Sequence, residues 1–173
     1  IIASSSELAG AAMDLDTNTE NMLRLAKALA TTRLNYDFIV LDAPPSIGAL
    51  TLNALTAADH LIIPLQAEYY ALEGIADMMD TVARVQSSLN EDLKVLGILL
   101  TMFDARTSLS AQVEDNVRQH FGPLVFKTVI PRSVRLAEAP SFGQPILEFA
   151  PISSGAKAYQ ALSEEVVERV SQA

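Results

Sequence analysis

Four unbroken apolar runs, separated by longer stretches with helical spacing, constrain this chain more than any other feature. Residues 36–42 (Tyr36-Asp37-Phe38-Ile39-Val40-Leu41-Asp42), 60–65, 94–101 and 124–130 each read as a buried strand. The runs are continuous rather than alternating, as expected when both faces of a sheet are covered. Between them, apolar residues recur at three- and four-residue intervals. Met22, Leu25 and Leu29 share one helix face, and Thr17-Asn18-Thr19-Glu20 has the spacing of a capping box. Ile75, Met78, Val82, Val85 and Leu89 form a second stripe. Leu109, Val113 and Val117 form a third, and Tyr159, Leu162, Val166 and Val170 a fourth. Each stripe reads as core packing. Strand–helix alternation predicts an α/β fold, a mostly parallel sheet with helices on both faces, in one domain over residues 1–173.

Composition narrows the chemistry. Half of the residues are hydrophobic and 19% are charged, which argues against disorder. The chain has no cysteine, so disulfide scaffolds, thiolate metal sites and cysteine nucleophiles are excluded. The longest charge-free stretch, Ala43–Ala58, contains two prolines and several polar residues, and so does not read as a membrane span. The first ten residues hold no basic signal-peptide region, and the chain begins with Ile1 rather than Met, as a cut end would. Net charge is −9, unevenly spread. Residues 101–143 carry five basic against four acidic side chains, leaving them at +1 and the remainder at −10. Such a segment is either a chance of the solvated surface or a local anion-facing edge.

In open parallel sheets, ligands bind beyond the carboxyl ends of the strands. The first run ends in Asp42, followed by Ala43-Pro44-Pro45-Ser46. The prolines fix φ and remove two N–H donors, so the loop leaves in a set direction. The Asp42 carboxylate there could hold Mg²⁺ through water, orient a nucleophile, or simply cap the following helix. The third and fourth runs end in basic loops. Arg106, Arg132 and Arg135 could bind phosphates; the plainer alternative is surface arginines paired with Asp104 or Glu138. His60 and His120 have no partners at metal-ligand spacing and read as structural. No G-x-S-x-G, H-E-x-x-H or G-x-G-x-x-G occurs, and none of the four lysines follows a glycine, so G-x-x-x-x-G-K-[ST] is absent.

Four segments, taken in order, carry a resemblance. Leu41-Asp42-Ala43-Pro44-Pro45-Ser46 resembles the Walker B/switch II segment of the ParA (Soj-type) partitioning ATPases. Residues 64–74 resemble the family's P-x-Q-x-E-Y-Y-A-L-E-G, and residues 100–107 its L-T-M-x-D-x-R-T. Residues 129–141 resemble V-I-P-R-N-V-R-L-x-E-A-P-S. The resemblance covers nearly the whole chain and implies a partial deviant-Walker P-loop NTPase fold of the ParA/MinD type.

It also implies a function. The family is an ATP- and Mg²⁺-dependent ATPase that forms an ATP-dependent homodimer and binds DNA without sequence preference. A ParB-type centromere-binding partner stimulates it. Such a protein would be cytoplasmic, associated with the bacterial nucleoid and not with membrane. Carried over, Asp42 would be the Walker B carboxylate near Mg²⁺. Pro131 and Ser133, with Met102, would lie on the adenine side, and Arg106 and Arg135 would contact DNA. The family's K-G-G-x-G-K-T loop and its D-x-Q-G-N switch are absent, and Ile1-Ile2-Ala3-Ser4 resembles the end of a strand that follows them. The chain thus looks like the C-terminal two-thirds of such a protein, expected alone neither to hydrolyse ATP nor to bind it tightly. Ser133 also replaces a family Asn. The competing readings are a non-catalytic regulator or dimerisation module and a MinD-like positioning ATPase. The latter would end in a basic amphipathic helix, whereas this chain ends in an acidic one.

Overall fold

The computed structural model describes residues 1–5, 7, 8, 10, 18–68 and 71–172. They fall into two compact units, Ile1–Leu61 with Met78–Lys94, and Ile62–Asp77 with Val95–Ala173.

The first unit is built around polar side chains that satisfy helix ends. Asn18 caps α1 (Thr19–Met22) by accepting the Asn21 N–H at 2.9 Å. Thr17, the first residue of the expected capping box, lies outside the described residues. After α2 (Arg24–Leu29) comes α3 (Ala49–Ala57), and buried Asn53 ties them, accepting the Leu25 N–H at 3.2 Å. α3 ends without glycine, so its last carbonyls need other donors. Asn90 donates to Leu55 and Ala58, and Arg33 donates to Ala57 while pairing with Asp59. Val82 and Val85, on the second half of α4 (Ala71–Ser88), are buried here.

The second unit holds most of the sheet. β1 (His60–Gln66) lies beside β2 (Lys94–Thr101). The Lys94 N–H meets the Asp59 carbonyl at one end, and the Ala67 N–H meets the Thr101 carbonyl at the other, so the two strands run parallel. A third lane, residues 125–131, pairs with β2 through parallel bridges Ile98–Val125 and Phe103–Pro131. Between these bridges the lane leaves the ladder: the N–H groups of Lys127 and Thr128 donate to the Glu165 carboxylate at 2.8 and 2.9 Å. Five consecutive residues of β2, Leu96 to Leu100, are buried, the mark of a strand covered on both faces. α5 (Ser108–Phe121) and α8 (Ser154–Gln172) are the long helices of this unit, with short α6 (Val134–Glu138) and α7 (Ile146–Phe149) between them. Leu96, Leu99, Phe126, Ile130 and Leu162 form one of its buried clusters. Among the described residues no helix is long and apolar enough to cross a membrane.

The structure corrects several expectations. Residues 36–42 form no strand, and Tyr36, Phe38 and Val40 are exposed, Val40 to 90%. Ile1-Ile2-Ala3-Ser4 is likewise exposed and outside any strand. An apolar run becomes a strand only when a neighbour accepts its ladder, and among the described residues none does. Leu109 and Tyr159, near the starts of their helices, are exposed rather than core.

Candidate functional site

β1, β2 and the third lane all end at one edge of the second unit, where an open cleft of about 660 Å³ lies. Leu65, Gln66, Met102, Asp104, Leu109 and Arg132 are among the residues that line it. Three local devices place them. Thr101 closes the top of β2 onto β1, its hydroxyl donating to the Leu65 carbonyl at 3.2 Å. Met102 then takes φ +55°, a left-handed conformation uncommon outside glycine, which turns the chain sharply after the strand. Phe103 stitches the third lane in place: its N–H donates to the Ile130 carbonyl at 3.1 Å, and its own carbonyl accepts the Arg132 N–H at 2.9 Å. Met102, Pro131 and Arg132 are thereby held at one edge, and Ser133 follows as the N-cap residue of α6, without a side-chain capping bond.

Beyond Phe103 the chain turns into α5. Thr107 is the N-cap, its hydroxyl oxygen accepting the Ser110 N–H at 3.3 Å and its O–H donating to the Asp104 carbonyl. Asp104 Oδ1 accepts the Arg106 N–H at 3.0 Å and Nε–H at 2.9 Å; its Oδ2 accepts Nη2–H at 2.7 Å. The Arg106 guanidinium, with its N–H, therefore holds the Asp104 carboxyl well below the usual carboxylate range, against an opposing effect of burial and with lesser help from Arg132. The same pairing raises Arg106.

The six residues singled out by resemblance are distributed as follows. Met102 lines the cleft, and Pro131 and Ser133 flank Arg132, which also lines it. Arg106 is paired with Asp104, and Arg135 with Glu138 at 3.0 Å one turn along α6. Both pairings are the plainer alternative weighed for these arginines. Asp42 belongs to the other unit, exposed on the segment before Pro44, which is anchored where the Thr51 hydroxyl meets the Ser46 and Pro44 carbonyls. No cluster of three metal-ligating side chains occurs among the described residues.

Sequence reasoning missed Gln66 and Glu68, which also line the cleft. The rule of inspecting each strand's carboxyl end could have found both. It also missed Glu165 and Arg169, which hold the lane that delivers Pro131 to Ser133. Arg169 pairs with Glu165, donates to the carbonyls of Leu96, Pro123, Leu124 and Val125, and stacks 4.1 Å from the Phe126 ring centre. A cleft of this size with apolar walls at Leu65, Met102 and Leu109 and charges at Glu68, Asp104 and Arg132 suits a flat, polar-edged ligand.

Comparison with known proteins agrees in direction. Residues 1–95 match a family model described as an AAA domain. Over 166 residues the chain is 51% identical to the sporulation initiation inhibitor protein Soj of Bacillus subtilis, covering 96% of this chain and 66% of that protein. Over 138 residues it is 59% identical to the chromosome-partitioning ATPase Soj of Thermus thermophilus, covering 80% and 55%. A solved structure of cobyrinic acid a,c-diamide synthase from Mycobacterium smegmatis with bound ADP and magnesium aligns with TM-score 0.68 at 39% identity, over 75% of this chain and 53% of that one. The chain thus spans between about half and two thirds of the length of these proteins.

Proposed function

Because the chain belongs to the Soj/ParA family of chromosome-partitioning ATPases, with their α/β nucleotide-hydrolase fold, we propose that its 173 residues form the base-side cleft and DNA-facing surface of a DNA-segregation ATPase. The observation that carries this reading is the Phe103 stitch, which gathers Met102, Pro131 and Arg132 at the edge of one open cleft. Met102 offers apolar surface to a planar base, and Pro131, at the end of the third lane, and Ser133, just beyond it, flank that base. Asp42, as the Walker B carboxylate, would be the residue of this chain that holds Mg²⁺. Arg106 and Arg135 meet DNA phosphates, without reading sequence.

ATP would supply the phosphoanhydride whose cleavage times the switch, and Mg²⁺ would offset the charge of its phosphates. The residues of this chain bind and orient; the G-x-x-x-x-G-K-[ST] loop, whose backbone N–H groups cradle phosphates, does not occur in these 173 residues. On this reading the whole protein dimerises with ATP, answers to a ParB-type partner and acts on the nucleoid in the cytoplasm.

The test is steady-state phosphate release. The 173-residue chain is expected to release none above buffer. A form carrying a glycine-rich lysine loop upstream is expected to turn over ATP, and Asp42→Asn in that form to reduce the rate by at least ~100-fold, the scale on which general catalytic groups act. Turnover by the 173-residue chain, or indifference to Asp42→Asn, overturns the assignment.

A further inference from the structure

We propose that Asp104 is a gate on Arg106: it occupies the Nε–Nη2 edge of an exposed guanidinium, and DNA must displace it to grip the arginine by that edge. The inference rests on the reading that Arg106 meets DNA phosphates.

A phosphate is gripped bidentately by the edge of a guanidinium that carries Nε–H and one Nη–H. In this chain that edge is taken. Nε and Nη2 of Arg106 donate to the two oxygens of Asp104 at 2.9 and 2.7 Å, and the backbone N–H adds a third bond at 3.0 Å. The pair is asymmetric. The Arg106 side chain is 87% exposed and that of Asp104 only 17%, so an approaching backbone meets the cation first while the carboxylate stays recessed in the cleft wall. Release would not strand the carboxylate either, because Arg132 lines the same cleft and the Arg106 N–H stays in place. Arg135 is held more loosely, by one Nη1–H bond to a Glu138 oxygen at 3.0 Å. Both arginines of the proposed DNA surface are thus held by neighbouring carboxylates.

An exposed ion pair is weak, so the gate is a light one. Fluorescence anisotropy with a duplex of arbitrary sequence, over a series of salt concentrations, tests it. Asp104→Asn keeps an acceptor for the Arg106 N–H but loses the charge, and is expected to tighten DNA binding by about two- to five-fold at low salt. The gain is expected to vanish in the Asp104→Asn, Arg106→Glu double variant, and to exceed that of Asp115→Asn, an equal charge change elsewhere on the same segment. Asp104→Ser is expected to behave as Asp104→Asn does, and circular dichroism establishes that each variant is folded. Unchanged or weaker binding by Asp104→Asn, or a gain that survives Arg106→Glu, overturns the gate. If Arg106→Glu weakens binding while Asp104→Asn brings no gain, only the gate fails. If Arg106→Glu binds as the parent does, the DNA role of Arg106 fails and the gate with it.

Discussion

Glu165 and Arg169 do for the third lane what a neighbouring strand would otherwise do. Their side chains are only 11% and 19% exposed, and together they satisfy two N–H groups and four carbonyls of the sheet and its approach. Burial pushes the Glu165 carboxyl upward. The N–H groups of Lys127 and Thr128, the Thr128 hydroxyl and Arg169 outweigh that, and hold it below its ordinary value of 4.5. A carboxylate with a lowered folded pKa adds stability that is fully present above its unfolded pKa and is lost as pH falls through the folded one. Urea midpoints of the parent chain and Glu165→Gln should therefore differ most near neutrality, and the gap should narrow as pH drops below 4.5. A gap independent of pH would show that the ionised form has no special role. Neither residue stands out in the sequence, where both read as charges on an acidic final helix; their partners are about 40 to 70 positions away.

At the scale of elements, β1 and β2 were legible because continuous apolar runs demand burial on both faces, and β2 has it. The third lane was legible as a run, but its departure from the ladder at Lys127 and Thr128 depends on Glu165 and is invisible locally. Residues 36–42 have as strong an apolar pattern as β1 and form no strand, because pattern reports what a segment can bury, not whether a neighbour is there to pair with it. The cleft was legible as a place, from the rule about strand ends, and three of the four resembling segments supply residues to it; the fourth, residues 41–46, belongs to the other unit. The ion pair that ties Arg106 was legible only as an alternative. Gly97, inside β2, reads in the sequence simply as part of the run. A Cβ there would lie 2.6 Å from the Phe126 ring, 2.7 Å from the Leu124 carbonyl oxygen and 2.8 Å from Arg169. Gly97→Ala gains about 0.5–1 kcal/mol by restricting the unfolded backbone. Overpacking against a carbonyl oxygen costs roughly 1–3 kcal/mol and should win. Chemical denaturation is expected to show a net loss of about 1–2 kcal/mol; a stabilised variant would mean that the lane gives way easily.

For the whole molecule, a net charge of −9 and a pI near 4.6 mean that DNA binding cannot be a bulk effect. It must come from a local surface, and charges more than about 10 Å away are screened at ordinary ionic strength. Residues 101–143, at +1, include both arginines of the proposed surface. Arg135→Glu is expected to weaken binding to all duplex sequences alike and to lower the salt slope by about 0.9 for each phosphate it no longer neutralises. A sequence-selective weakening would point to base recognition instead.

The exposed run at residues 36–42 also bears on how the molecule behaves in company. Its outward Tyr36, Phe38 and Val40 are an unclaimed sticky margin, and the acidic side chains Asp37 and Asp42 at its ends are what keep two such margins from zipping together. That protection is electrostatic, so it thins in concentrated salt. Crowded, saline solutions therefore favour side-by-side clumping, and dilute, low-salt buffers keep the molecules apart.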